Sequence, residues 1–362
     1  MAEPDLPAIA AEAMRTTGAE GLALAYIDDG RVRAVHAAGE RNGRGDPLDQ
    51  QTIMYGASLT KTAFAYLVMQ LVDEGRLRLD QSIADLLPKP LPDYTDAEDK
   101  YADYRPLKGD ERWRKLTPRI LLTHSSGFSN FGFLEPDGRL KFHFEPGARY
   151  AYSGDGLILL QFVLERGLGL DVGAEMQRRV FDRFGMTRTS MKWRDDFRAN
   201  LADGWKADGS IEPHDERSSV RAAGSMDTTI ADMAKFAAGF IRGEGLGKAA
   251  FAQMVKPQLA MTAASQFPSL QPESPPAARI KGLSAGLGLV LFEGPQGRGL
   301  FKGGHNDSTG NMLVCLIAGK RCLVILSNDV RAEAAFPAIA RAALGETGLP
   351  WHWEYGNQPW AR

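Results

Sequence analysis

The chain has 362 residues, 44% of them hydrophobic, enough to bury a large core as one two-part domain or as two domains. Charge is balanced, 43 Lys and Arg against 45 Asp and Glu for a formal net charge of −2, and no basic run or aromatic–basic stripe points to nucleic acid. No segment reaches membrane-spanning length.

In chain order, residues 6–15 read as a helix. Gly21–Asp28 and Arg31–Ala38 read as two strands joined by the Asp28-Asp29-Gly30 turn. The stretch Met54-Tyr55-Gly56-Ala57-Ser58-Leu59-Thr60-Lys61 opens a helix that runs to about Gly75 and is apolar nearly all round, as a buried helix is. From about residue 79 the character changes. Asp80–Leu87 reads as a short helix, 88–115 as an exposed excursion rich in Pro, Asp, Lys, Arg and Tyr, and Pro118–Thr123 as another short helix. Residues 129–150 read as a long loop, of a length that is often functional. Asp155–Arg166 and Val172–Phe184 read as amphipathic helices, 201–213 as a small hairpin, Thr229–Ile241 and Lys248–Val255 as helices, and 263–280 as a linker. Strand signals return at Ser284–Glu293, Gly299–Lys302, Asn311–Ile317 and Cys322–Ser327, followed by a helix over Ala332–Leu344. The aromatic tail 350–355 is expected to pack on the body.

Strands at both ends with helices between them predict an α+β fold: one central antiparallel sheet assembled from both chain ends and flanked by helices. The expected division sets residues 1–78 with 281–362 as the sheet domain, and 79–280 as a mostly helical inserted region. The cleft between them is the natural place for a site.

Ser58 and Lys61 form the only S-x-x-K of the chain. An isolated pair of this kind most simply means a helix cap and a snorkelling lysine. On a buried helix, however, residues three apart share a face, and a desolvated lysine there can take the proton of a serine hydroxyl. The partners for such chemistry come from Tyr150-Ala151-Tyr152-Ser153-Gly154, just before a helix, from Lys302-Gly303-Gly304-His305 on a late strand, and from Thr123-His124-Ser125-Ser126-Gly127.

As an ordered set these segments resemble the serine β-lactamase and DD-peptidase superfamily, in its class C-like branch, whose signature is S-x-x-K, then Y-x-N, then K-[ST]-G or H-x-G. Supporting stretches are Leu121–Phe128, Phe184–Thr187, Ala223–Met226 and Ile325–Asn328, so the resemblance covers roughly residues 20 to 345. It implies a β-lactamase/transpeptidase-like fold and a serine hydrolase. Ser58 would be the nucleophile, Lys61 and Tyr152 the proton carriers, and Lys302 a positive charge keeping the Tyr152 oxygen acidic. The backbone N–H groups of Ser58 and His305 would bind the oxyanion. Gly154, Gly303, Gly304 and His305 would line the substrate. Which of Lys61 and Tyr152 is the base in each step stays open.

The sequence departs from that signature where it has Gly154 for Asn and Gly303 for Thr or Ser. Gly303 lacks the hydroxyl that in β-lactamases and DD-peptidases contacts the substrate carboxylate, although Ser308 or Thr309 is a possible replacement. The Gly-Gly pair is closer to the W-G-G of family VIII esterases, with Lys302 in place of Trp. The expected activity is therefore cleavage of a carboxylic ester or small amide. The alternatives are a D-amino-acid peptidase or DD-carboxypeptidase, a class C-like β-lactamase, an acyltransferase, or a penicillin-binding sensor. The expected partner is a small ester, amide or peptide, acting on a monomer or small homo-oligomer.

Tyr150 competes with Tyr152 for the tyrosine role, with the register favouring Tyr152. His124 reads as structural, and the His305 backbone as more important than its ring. Phe128, Phe131, Phe133 and Phe142 with Trp113 are candidates for an acyl pocket. His36, His143, His214 and His352 are isolated, without metal-ligand spacing, so no metal and no cofactor is expected. Cys315 and Cys322 flank a hairpin turn. A loop centred on Ala318-Gly319 sets them opposite each other and allows a disulfide, whereas one at Gly319-Lys320 offsets them. The offset register, with two buried thiols, is preferred. The start of the chain shows no leader character, so the protein reads as cytosolic or as a mature form, with a periplasmic or secreted location preferred.

Overall fold

The computed structural model describes residues 3–96, 98–356 and 358. The helices are α1 (Leu6–Thr17), α2 (Leu59–Asp73), α3 (Ile83–Leu86), α4 (Pro118–Leu122), α5 (Gly154–Leu168), α6 (Val172–Met176), α7 (Ile230–Ile241), α8 (Lys248–Met254), α9 (Phe336–Leu344) and α10 (Trp351–Tyr355). The strands are β1 (Gly21–Asp28), β2 (Arg31–Gly39), β3 (Met54–Tyr55), β4 (Gly204–Trp205), β5 (Ile211–Glu212), β6 (Asp227–Thr228), β7 (Leu259–Ala260), β8 (Ser284–Ala285), β9 (Val290–Gly294), β10 (Gly297–His305), β11 (Gly310–Leu316) and β12 (Arg321–Ser327).

Eight strands form one antiparallel sheet in the order β2-β1-β12-β11-β10-β9-β8-β7. The two chain ends meet where β1 pairs with β12, Ala23 opposite Leu326 and Ile27 opposite Cys322. Side chains alternate across the strands. Ala23, Ala25 and Ile27 face a core shared with α2 and α7, while Leu22, Leu24 and Tyr26 face a second core with α1 and α9. The region 79–280 contributes β7 to the sheet and α7 to one of its faces.

Several elements differ from the sequence expectation. The 88–115 excursion is anchored rather than exposed: Tyr94, Tyr101 and Tyr104 ring Phe162 of α5 at centroid distances of 4.9, 5.0 and 5.1 Å. Its charged residues dominate the composition, but its aromatics decide the packing. For the same reason α5 is buried without a break from Gly154 to Leu164 and has no polar face there. Val172–Phe184 changes from α6 to a π-helical stretch at Gln177–Asp182. The Ser284–Glu293 run folds back on itself as β8 and β9, because Gly288 at φ 76° passes against Ala65 of α2, where a Cβ would meet the Ala65 Cβ at 2.3 Å. Cys315 lies directly opposite Cys322 and the two are disulfide-bonded, which corrects the preference for free thiols. Leu316 pairs with Arg321, so the loop centres on Ala318-Gly319.

Candidate active site

The turn into α2 is fixed from below and from the side. β3 pairs with β6, and Gly56 N–H donates to Met226 O at 2.8 Å. Ala57 takes φ 46°, a left-handed conformation that a non-glycine residue adopts only when its surroundings hold it there. Its carbonyl accepts from the Thr60 hydroxyl at 2.6 Å. Ser58 follows at the mouth of the helix, and its side chain makes no cap hydrogen bond. Its Oγ instead accepts from Lys61 Nζ at 3.0 Å and from the Tyr152 hydroxyl at 2.8 Å. The helix leaves Lys61 no solvent-exposed side, since every residue from Leu59 to Leu71 is buried. Nζ also donates to Ala223 O at 2.6 Å. Burial, reinforced by the nearby Lys302 charge, holds the Lys61 amine well below the usual lysine range.

Tyr152 is placed by the segment entering α5. Ser153 Oγ caps that helix at Gly156 N–H, 3.0 Å away. His124 holds the same segment twice: its Nδ1 accepts from Ser153 N–H at 3.0 Å and its carbonyl accepts from Ala151 N–H at 2.7 Å. The imidazole also lies 4.4 Å from the Tyr152 ring. His124 is thus a structural partner of the tyrosine. Tyr150 points elsewhere, to Gln266 Oε1 at 2.5 Å. Burial pushes the Tyr152 phenol up, even though Lys302 Nζ sits 5.2 Å from its ring centroid. Lys302 thus stands near the tyrosine as expected, and burial acts on the phenol in the opposite direction to the one expected of that charge.

β10 forms the opposite wall. Asn306 N–H donates to Thr309 O, and bonded pairs alternate along an antiparallel ladder. Gly303 and His305 therefore turn their N–H and C=O groups away from β11, towards an edge that β9 covers only as far as Phe301. Gly304 lets this strand touch the α2 turn, since a Cβ there would meet Ser58 N at 2.9 Å. The His305 N–H and the Ser58 N–H accordingly border the same space. Lys302 is buried, its amine lowered to about 8, with the Glu354 carboxylate pulling the other way. The His305 ring bonds Glu333 Oε1 at 3.0 Å, which raises it above the ordinary histidine range.

Ser58, Lys61, Tyr152, Lys302, Gly303, Gly304 and His305 all line one cavity of about 440 Å³. Gly154 lies at its edge, where a side chain would strike the Phe131 ring at 2.4 Å, and its N–H donates to Asn130 Oδ1 at 2.9 Å. Asn130 and Phe131 thus occupy the ground that a side chain at 154 would take. Of the five aromatics expected in an acyl pocket, Phe131 lines the cavity. Phe128, Phe142 and Trp113 are core residues, and Phe133 stacks on the outside of Phe131. Ser308 and Thr309 line a neighbouring hollow behind Tyr55, so neither replaces the hydroxyl missing at 303.

The residue missed from sequence is Glu354. It comes from α10, is buried at 9% exposure, and places Oε1 2.1 Å from where a Gly303 Cβ would stand. A glutamate inside an apolar aromatic pentapeptide was the available signal, because such a charge is seldom buried without a purpose.

The Beta-lactamase family profile matches residues 6–346. The chain belongs to the beta-lactamase family. It is 32% identical over 199 residues to a lovastatin esterase of Penicillium rubens, covering 46% of this chain and 48% of the relative. It is 30% identical over 182 residues to a monacolin J acid methylbutanoyltransferase of Aspergillus terreus, covering 43% of each. The chain thus spans about half the length of the curated relatives it matches. The solved structure of a D-alanine carboxypeptidase from Burkholderia cenocepacia shares the fold at a TM-score of 0.73 and 18% identity, over 94% of this chain and 97% of that one. Among the described residues, no helix of this beta-lactamase-family chain is long and apolar enough to cross a membrane.

Proposed function

We propose that the protein cleaves carboxylic esters through an acyl-enzyme on Ser58. The observation that carries this reading is the position of Ser58 Oγ, held between Lys61 Nζ and the Tyr152 hydroxyl in a cavity that β10 also lines. The directions of the two shifts support one order for the first proton transfer. Burial that lowers the Lys61 amine favours its neutral form, and burial that raises the Tyr152 phenol favours its protonated form. For the transfer the Ser58–Lys61 hydrogen bond reverses, the hydroxyl donating to the neutral amine, and Lys61 takes the Ser58 proton while Tyr152 donates to Oγ. Oγ attacks the ester carbonyl, and the oxyanion is met by the N–H groups of Ser58 and His305. The C–O bond to the alcohol breaks as that oxygen receives a proton by way of Tyr152, replenished from Lys61. Water then attacks the acyl-enzyme by the reverse proton path, giving the acid and free Ser58.

Gly303 and Gly154 support an ester over a β-lactam or a D-Ala terminus. The positions from which a hydroxyl and an amide would reach the substrate carry no side chain, and Glu354, Phe131 and Asn130 fill that space. Similarity to a lovastatin esterase agrees with this reading. A second reading, acyl transfer to an alcohol other than water, draws on the similarity to a methylbutanoyltransferase. Wild type and Ser58→Ala, assayed on 4-nitrophenyl butyrate and a chromogenic cephalosporin, test the proposal. We expect ester turnover to fall by about a thousandfold or more in Ser58→Ala, with little cephalosporin cleavage by either. Equal ester turnover in the two would remove Ser58 as nucleophile. A methyl or butyl ester formed with added alcohol would favour acyl transfer.

A further inference from the structure

We infer that Glu354 is the specificity residue of the cleft: it excludes substrates that carry a carboxylate near the scissile bond and admits neutral and cationic ones. The inference deepens the ester reading above and rests on it.

The geometry begins with Gly303. Its missing Cβ would lie 2.1 Å from Glu354 Oε1 and 3.1 Å from Cδ, so the carboxylate sits where a side chain of β10 would otherwise project at the cleft edge. A hydroxyl donor at that corner is replaced by a carboxyl group, which burial raises above the ordinary glutamate range while the Lys302 and His305 charges pull it back towards the anion. α10 holds Glu354 firmly. The neighbouring Trp353 is fully buried, its indole N–H donates to Ala263 O at 3.2 Å, and its carbonyl accepts from Gln266 N–H at 2.7 Å. Gln266 Nε2 in turn donates to Glu354 Oε2 at 3.2 Å. Such a support leaves the carboxylate little freedom to withdraw.

Three cationic groups of the cleft, Lys302, His305 and Lys61, are already engaged or held low. Lys302 Nζ donates to Gly303 O at 2.5 Å and acts on Glu354 across space, the His305 ring is bonded to Glu333, and Lys61 is held low. Arg221, exposed, also lines the cavity, with Gly224 and Ala223. A second carboxylate entering the Gly303 corner therefore meets Glu354 at short range in a poorly hydrated site, where like charges repel strongly. An ammonium or an uncharged group there meets no such barrier. The rest of the lining fits an apolar body, with Phe131, Ile158, Phe267 and Tyr355 on the walls.

The test compares esters of similar chain length that differ in charge. In one series the acyl part carries the charge: 4-nitrophenyl pentanoate, mono-4-nitrophenyl glutarate, and the trimethylammonio analogue. In the other the alcohol carries it: butyrate esters of 3,3-dimethylbutanol, 3-hydroxypropionate and choline. In wild type we expect the anionic member of at least one series to lie tenfold or more below its neutral partner in kcat/KM, with the cationic member equal or faster. In Glu354→Gln the anionic-to-neutral ratio of that series should rise at least fivefold, and the cationic-to-neutral ratio should fall. Because each ratio is internal to one protein, a change in overall rate does not affect it.

Equal turnover of anionic and neutral esters by wild type in both series would overturn the inference without any variant. So would ratios that are the same in wild type and Glu354→Gln. If no neutral ester depends on Ser58, the ester reading itself has failed, and that result is separate from either of these.

Discussion

Lys61 and Lys302 share one buried cleft, and the charge on each makes charge on the other costlier. The proposed chemistry needs them in opposite states, Lys61 neutral to take a proton and Lys302 charged to favour the oxyanion. Burial and the Lys302 charge lower Lys61 well below the usual lysine range, and burial lowers Lys302 to about 8. Activity should thus appear as pH rises through the lowered value of Lys61, and fall as pH passes about 8 and Lys302 discharges. In Lys302→Met the repulsion on Lys61 is gone, so its acid limb should move to higher pH while the alkaline limb disappears and kcat/KM drops by about tenfold or more. Lys302→Arg should keep the charge and push the alkaline limb upward. Profiles of kcat/KM on 4-nitrophenyl butyrate, corrected for background hydrolysis, would read both limbs. An alkaline limb unchanged in Lys302→Met would detach Lys302 from it. This arrangement was half legible in the sequence. The residue types of Ser58, Lys61, Tyr152 and Lys302 carry their chemistry in local motifs. The upward shift of Tyr152 could not be read there, because it depends on how completely His124, Phe267 and the two lysines close over the ring.

At the scale of elements, the Gly303-Gly304 pair is what lets β10 run between two neighbours at once. Gly304 touches the first turn of α2 and Gly303 touches α10. The strand and the helix were both legible from hydrophobic pattern, and so was the packing of the aromatic tail on the body. That α10 reaches the cleft was not. No local pattern joins residue 354 to residue 303, and only the closure of the sheet from both chain ends brings the tail beside β10. The same contact explains why a glycine stands at 303, and it can be measured. Gly303→Ser should lower stability by about 1–3 kcal/mol, because its side chain drives into the Glu354 carboxylate. In a Glu354→Ala background the same change should cost little. The coupling between the two in a double-mutant cycle, read by urea unfolding, should reach about 1 kcal/mol or more in the direction of mutual relief. Additivity within about 0.5 kcal/mol would mean that Glu354 swings clear without cost, and the steric account of Gly303 would fall.

Across the whole molecule, β12 joins the two chain ends within the sheet, pairing β1 on one side and β11 on the other, and the second pairing carries the Cys315–Cys322 bond. Both cysteines are fully buried, at the end of the β11–β12 hairpin remote from the Gly310–His305 pairing that borders the cleft. The bond therefore bears on stability and not on the chemistry at Ser58. Cross-linking two residues seven apart removes a short loop's worth of freedom from the unfolded chain, about 2–3 kcal/mol in the chain-entropy account. The double variant Cys315→Ala and Cys322→Ala should lose about that much in urea unfolding, and should keep kcat/KM on a neutral ester within about twofold of wild type. Alkylation of the unfolded, unreduced wild type should leave both sulfurs unmodified, and prior reduction should expose both. Two alkylated thiols without reductant would show that the hairpin holds the cysteines opposite but unbonded, and the stability difference should then shrink to that of two small cavities. Because structural disulfides persist in oxidising compartments and are rare in reducing ones, the same alkylation on protein taken directly from its host cells also reads where the chain resides, which its composition leaves undecided.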